Sequence, residues 1–319
     1  MKNYLLTLLL ALCLSVPAFA EGNYIRGDVN GDGVVSSADI SSLIDYLLNG
    51  TAIDEAAADV NGDGSVNPAD ISALIDYLLS VEVFTVNGVS FTMIPVEGGT
   101  FSMGATSEQG SDAQNTERPV HQVTLSSYSI GQTEVTQALW QAVMGESITD
   151  IISRNGWSSF GIGDNYPMYY VSWEDCQLFI AELNRLTGKH FRLPTEAEWE
   201  FAARGGNLSQ HYKYAGGNNV GDVAWYRSNA NGATHTVATK APNELGLYDM
   251  SGNVYEWCQD RWGGYSSAAQ ADPTGPETGT NHVDRGGNWY YSSSLCRVSC
   301  RSNISPSGRL KHLGLRLAL

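Results

Sequence analysis

Two stretches near the front of the chain carry apolar residues at helical spacing: Ile40, Leu43, Ile44, Leu47 and Leu48, then Ile71, Leu74, Ile75, Leu78 and Leu79. The i, i+3, i+4, i+7, i+8 pattern predicts two amphipathic helices, each with a face to bury, most simply against the other. From Phe84 onward the pattern changes to short β-like runs punctuated by Gly and Asn, which predicts an α+β fold with few helices. Three helices stand out there. Thr136 caps one ending near Gly145. Ser172 caps a second, with the apolar face Trp173, Cys176, Phe179, Ile180, Leu183 and Leu186, stopping at Gly188. Thr195-Glu-Ala-Glu198 is a capping box for a third, ending at Gly205-Gly206.

At the front, Lys2, the apolar run Leu5 to Leu14 and Ala18-Phe19-Ala20 read as a secretory signal over residues 1–20, cleaved before Glu21. The alternative, a lipid anchor at Cys13, is disfavoured because Leu12 is large where such sites take a small residue. No later segment approaches the roughly twenty apolar residues that a membrane helix needs.

Each predicted front helix follows a repeated loop. Asp28-Val-Asn30-Gly-Asp32-Gly33 recurs thirty-one residues later as Asp59-Val-Asn61-Gly-Asp63-Gly64, and the copies run on to Asp39 and Asp70 at loop position 12. A hard cation takes six or seven oxygens at short range. Positions 1, 3, 5 and 12 supply side-chain oxygens, position 7 a carbonyl (Val34, Ser65) and position 9 a direct or water-mediated ligand (Ser36, Asn67). Three carboxylates in each loop repel one another until an ion arrives, and so small a unit buries little apolar surface. Calcium is therefore expected to supply part of the folding free energy.

The loop-helix pair resembles the dockerin module over residues 25–82, which implies a small all-α, calcium-loaded domain that docks a cohesin-like partner. Carried onto this sequence, the family's recognition positions are Ser37 and Ala38, Ile44 and Asp45, and in the second copy Pro68 and Ala69, Ile75 and Asp76. Many dockerins are basic at the helix positions where Asp45 and Asp76 stand, so the partner is expected to differ from that of the best-studied dockerins.

Charge supports the same division. The chain of 319 residues has a formal charge of −16, and Arg26 is the sole basic side chain between Glu21 and Glu82. That excess repels phosphate backbones and anionic membranes, which excludes nucleic acid as an expected partner.

The remainder, 84–319, carries Gly99-Thr-Phe-Ser-Met-Gly104, Thr133-Glu-Val-Thr136, Arg192-Leu-Pro-Thr-Glu-Ala-Glu-Trp-Glu200, Gly246-Leu-Tyr-Asp-Met-Ser-Gly-Asn-Val-Tyr-Glu-Trp257, Arg285-Gly-Gly287 and Gly314-Leu-Arg-Leu317. It resembles the formylglycine-generating, sulfatase-modifying-factor domain, a C-type-lectin-like fold. The resemblance implies a structural calcium held by Asp249, Gly252, Val254 and Glu256. It also implies a copper-dependent oxidation of a substrate cysteine, with copper held by two cysteines five positions apart. Here the match fails: Tyr291 stands at the first cysteine's place, and Cys296 at the second is the residue that would carry an oxidase. A phenol is a poor ligand for Cu(I). Cys176, Cys258, Cys296 and Cys300 allow three disulfide pairings; structural pairing of cysteines, including Cys258 with Cys296, is favoured over metal ligation.

Between Trp289 and His312 the composition is rich in Tyr, Ser, Gly and Asn, as in adaptable binding loops. Trp289, Tyr290, Tyr291, Ser293, Leu295, Asn303, Ile304, Leu310 and His312 are the candidate ligand contacts. The segment also resembles the variable regions of diversity-generating retroelement targets, in which Asn codons are randomised; Lys311 does not fit an AAC origin. The reading is a secreted, docked, noncatalytic binder of a protein or glycan. Its alternatives are a formylglycine-generating oxidoreductase, with copper, and an accessory component of a polysaccharide-degrading complex.

Overall fold

The computed structural model describes residues 24–33 and 35–319, with backbone alone for Leu79 and Ser80. The signal-type segment 1–20, Val34 and the Leu79 side chain lie outside the described residues.

The front module is two loop-helix units, α1 (Ser37–Asn49) and α3 (Pro68–Ser80), joined through the short α2 (Glu55–Ala58). Ser36 and Asn67 cap the long helices, and in each the loop's position-12 residue, Asp39 or Asp70, closes the capping box. Those two aspartates thus serve a helix end as well as a loop. Leu43 and Leu74 are wholly buried with Val29 and Ala58, whereas Ile44, Ile75 and Leu48 remain exposed. The apolar stripe is wider than the module's own core needs.

The large domain is α+β. Strands β1 (Glu82–Val86), β2 (Val89–Val96) and β5 (Tyr128–Gly131) form an antiparallel sheet. In a second sheet β3 (Gly99–Met103) pairs antiparallel with β4 (His121–Leu125), which pairs parallel with β7 (Gln270–Ala271). The third has the order β10 (Leu313–Leu315), β6 (Tyr255–Arg261), β8 (His282–Arg285), β9 (Arg301–Ile304), parallel only between β10 and β6.

The three expected helices are present as α4 (Gln137–Met144), α6 (Trp173–Thr187) and α7 (Glu196–Ala203), with Thr136, Ser172 and Thr195 as their caps. A fourth, α5 (Ile148–Asn155), has a Ser147–Asp150 capping box and Gly156 at its left-handed end. Those signals stand in the sequence, but the segment is short and Ile148 and Ile151 alone are buried. The α6 stripe enters the core through Cys176, Phe179, Ile180 and Leu183, with Phe179 stacked on Trp140 at 5.0 Å.

All four described cysteines are free and buried. The expected pairing of Cys258 with Cys296 is therefore corrected: Cys258 packs in the core with Trp199 and Val283, Cys296 in a separate cluster with Tyr214, Val223 and Ala224. Each thiol acts as a small apolar side chain where it stands.

Candidate functional site

In the first front loop the carboxylates fold inward onto main-chain donors. Asp28 accepts from the Asp32 and Gly33 amides at 3.0 and 2.9 Å, and Asp39 from Asn30 and Ser36 at 3.0 and 2.7 Å. The second loop repeats this: Asp59 accepts from Asp63 and Gly64 at 3.1 and 2.9 Å, Asp70 from Asn61 and Asn67 at 3.1 and 2.8 Å. Asn30 and Asn61 also accept from the Asp32 and Asp63 amides. The donor set, all oxygen, fits calcium in kind. Among the described residues no three His, Cys, Asp or Glu side chains form a metal site by themselves. The loops depend on Asn, Ser and carbonyl oxygens as well, those of Ser36, Ser65 and Asn67 included. Of the docking positions, Ser37, Ala38, Pro68, Ala69 and Asp76 are exposed, Ile44 and Ile75 are 39% and 38% exposed, and Asp45 is half-buried.

The oxygens assigned by resemblance to a second kind of calcium site lie in a dry interior with Arg316. Both oxygens of Glu256 are taken by Arg316, with Nε at 2.9 and 3.1 Å and Nη2 at 2.7 Å, and Trp199 Nε1 donates to Oε2 at 2.6 Å. Arg316 neutralises Glu256, while the buried Asp249 and Glu134 carboxyls beside it have no ion pair of their own among the described residues, an oxygen set that suits calcium in kind. Asp249 accepts from the Ala238 amide at 2.7 Å through Oδ2, and its Oδ1 has no partner among the described residues. Gly252 and Val254 lie in the same turn; the Val254 amide donates to Glu134 at 3.1 Å. Burial, then the charges of Asp249 and Glu256, hold the Glu134 carboxyl well above the usual range.

Further buried pairs brace the C-terminal segment. Arg297 grips Glu117 at 2.6 and 2.7 Å, Arg301 grips Glu196 at 2.5 and 2.7 Å, and Arg285 pairs with Glu200. Behind them, burial and Glu196 push the Asp260 carboxyl up to about 8, and burial pushes Asp284 up to about 7. Both folded-state values exceed the ordinary unfolded one. The folded chain therefore keeps protons that the unfolded chain releases, and stability falls as pH rises from about 4 through about 8. The large-domain transition in calorimetry is expected to lie higher at pH 6 than at pH 8.5, with Asp260→Asn flattening the difference. A rising midpoint over that interval would contradict the assignment.

On this braced frame sits a ring cluster. Trp289 is 2% exposed and stacks on Phe160 at 5.1 Å; His312 is 6% exposed and lies parallel to Tyr290 at 5.8 Å. These two expected contacts are corrected to a floor beneath the surface. Burial, then Lys311, push the His312 imidazole down to about 4, so it is neutral at physiological pH. Tyr290 is exposed above them, with Tyr291 half-buried beside it at 5.2 Å. Lys311 Nζ lies 3.8 Å from the Tyr290 centroid and 4.7 Å from that of Phe160, a cation–π arrangement. Arg227 fixes the tyrosine backbone, donating from Nε to the Tyr290 carbonyl at 2.9 Å and from its amide to Tyr291 at 3.0 Å.

Lys311, Arg227 and Phe160 are additions to the expected set. Lys311 stands between two expected contacts, but nothing local marks Arg227 or Phe160. Ser293 and Leu295 occupy a 3-10 turn, and Leu310, half-buried, accepts from the Tyr170 amide at 3.0 Å. Asn303 and Ile304 lie on β9, where Asn303 is half-buried and accepts from Asn281 at 2.7 Å.

The cysteine expected to serve an oxidase is buried in the cluster of Tyr214, Val223 and Ala224. Burial, then Cys300, push the Cys296 thiol up to about 12, and burial raises Cys300 to about 11. Tyr291, at the other expected copper position, instead faces Tyr255, Tyr290 and His312. Gly287 shows how tight the packing is: a Cβ there would lie 2.8 Å from Cys296 Sγ.

Fold and loops together define a two-part protein, a paired calcium-loop module ahead of an α+β domain with C-type-lectin-like neighbours. The chain belongs to the family of the sulfatase-modifying factor enzyme 1-like domain, matched over residues 84–319, and a dockerin type I domain is matched over residues 26–79. The formylglycine-generating enzyme of Thermomonospora curvata is 32% identical over 290 residues, covering 71% of this chain and 92% of its own. The chaperone protein LppX of Paenibacillus barcinonensis is 32% identical over 270 residues, covering 72% and 89%. Among solved structures, Treponema denticola variable protein 1 superposes with a TM-score of 0.66 at 34% identity, covering 75% of this chain and 98% of that one. PvdO from Pseudomonas aeruginosa superposes at 0.58 with 25% identity, covering 74% and 97%. No described helix is long and apolar enough to cross a membrane.

Proposed function

We propose that this is a secreted protein, tethered by its calcium-loaded dockerin to a cohesin-like partner, whose large domain binds a protein or glycan without catalysis. The observation that carries the reading is Tyr291: a ring stands where the copper chemistry of the resembled enzymes needs a thiolate, and it is built into an aromatic surface. Cys296 is buried with its proton held on. A thiolate is the form that ligates copper, and here burial opposes it.

Tyr290 offers a ring face, Lys311 a cation and the serines around them small polar groups, a mixture suited to sugar rings or to a polar protein surface. The likeness to a variable protein and the Tyr- and Ser-rich loops support the same reading. With the intact chain screened against protein and glycan arrays, Tyr290→Ala is expected to weaken any ligand found at least tenfold, about 1.4 kcal/mol, without lowering the melting midpoint. A ligand whose binding ignores Tyr290→Ala and Lys311→Ala alike would place the site elsewhere.

A further inference from the structure

The front module contains the same groove twice. Val29, Asn30 and Ser42 line one; thirty-one residues on, Val60, Asn61 and Ala73 line the other. Their surroundings differ. Among the described residues the first is walled on its other side by residues 51–56 and leaves about 940 Å³ open. The second is faced by the large domain, with Leu208, Glu244 and Leu245 on its wall, and about 330 Å³ remains.

The equivalent glycines of the two loops register the difference. A Cβ on Gly31 would meet nothing within 4 Å, whereas one on Gly62 would lie 2.9 Å from Arg26 Nη1 and 3.6 Å from Leu208 Cδ2. Arg26 also donates to the Asp59 carbonyl at 2.8 Å, tying the seam to the second calcium loop. The helix residues agree. Burial, then Tyr248, push the Tyr77 phenol up to about 12, while its counterpart Tyr46 hydrogen-bonds Glu55 within the module at 3.0 Å.

The covered copy shows what such a groove accepts: leucine side chains, with Glu244 set where Arg26 stands on the rim. The open copy has the opposite sign. Its rim carries Asp45, Asp54 and Glu55 and no basic residue, and Asn49 and Thr51 hold the Asp45 carboxylate in place. On the same helix Ile44 and Leu48, the latter 76% exposed, add apolar surface.

We propose that the chain's own large domain occupies the second groove, so that a cohesin-like partner docks on the first, at Val29, Ser42 and Asp45, through an apolar loop flanked by Lys or Arg. One partner then binds per chain, in one orientation, although the α3 recognition positions Ile75 and Asp76 stay exposed. The inference rests on the docking role proposed for the module.

The test is titration calorimetry of the full, calcium-loaded chain against a panel of purified cohesin-type domains. A binder is expected at one-to-one stoichiometry, weakened at least tenfold by Ser42→Arg and changed less than twofold by Ile75→Ala with Asp76→Lys. Ser42 is a half-buried helix position, and circular dichroism in calcium verifies that Ser42→Arg folds. Two-to-one binding, or binding that survives Ser42→Arg and is lost with the α3 changes, overturns the inference and leaves docking itself standing. Failure of every cohesin-type domain to bind the wild-type chain overturns the docking role and this inference with it.

Discussion

Arg316→Ala is expected to destabilise the large domain by about 3–5 kcal/mol, the cost of leaving a buried charge without its partner. Arg316 is wholly buried and makes three contacts to Glu256 of 2.7 to 3.1 Å, with further bonds to the Gly131 and Tyr248 carbonyls at 2.8 and 2.7 Å. Its charge also moderates Glu134 and Asp249, both buried nearby. Without it three carboxylates face one another in a dry interior, and some must take up protons for the domain to stay folded. For a domain of this size the thermal midpoint should fall by roughly 10 °C or more. Pairing the change with Glu256→Gln should recover part of the loss, because the variant then strands one fewer charge. A lone Arg316→Ala variant that melts like the wild type would show that the cluster does not need this guanidinium.

Chelation is expected to unfold residues 26–79 while the large domain stays folded. Each loop sets three carboxylates around one site, and the core beneath them is small, with Leu43, Leu74, Val29 and Ala58 its buried members. Ion binding is then a major part of the module's folding free energy. Excess EDTA should remove helical signal from α1 and α3, and restoring calcium should return it. Chelation should also release Tyr77 from the domain seam, shifting its ionisation down from about 12 toward an ordinary tyrosine value. An EDTA-treated chain that keeps both the helical signal and the raised phenol would show that calcium is dispensable to the module.

Local signals were the legible ones. The loop repeat fixed the front module because ion coordination imposes residue types at set positions, and Thr136, Ser172 and Thr195 marked helix starts because a cap acts within one turn. Long-range pairing left no such mark. Arg297 finds Glu117 across 180 positions, Arg227 holds the backbone at Tyr290 across 63, and Arg316 answers Glu256 across 60. The motif places the Glu256 carboxylate, but the guanidinium that meets it comes from the residue just after β10. Trp289 and His312 show the same limit from another side. Their residue types suit a binding surface, and only the packing of Phe160, Tyr291 and Lys311 reveals that they lie beneath it. The doubled groove was half legible, since the 31-residue repeat predicts two copies while their unequal covering comes from Leu208 and Leu245, well over a hundred positions away.

The central claim is that the large domain binds and does not oxidise. The most direct measurement is to incubate the full chain with Cu(I), oxygen and a sulfatase-type cysteine peptide, following aldehyde formation by mass spectrometry and copper stoichiometry in parallel. With Tyr291 in the ring cluster and Cys296 buried as a thiol, no stoichiometric copper and no aldehyde are expected. Turnover that disappears in Cys296→Ser would contradict the account and make this chain a formylglycine-generating oxidase.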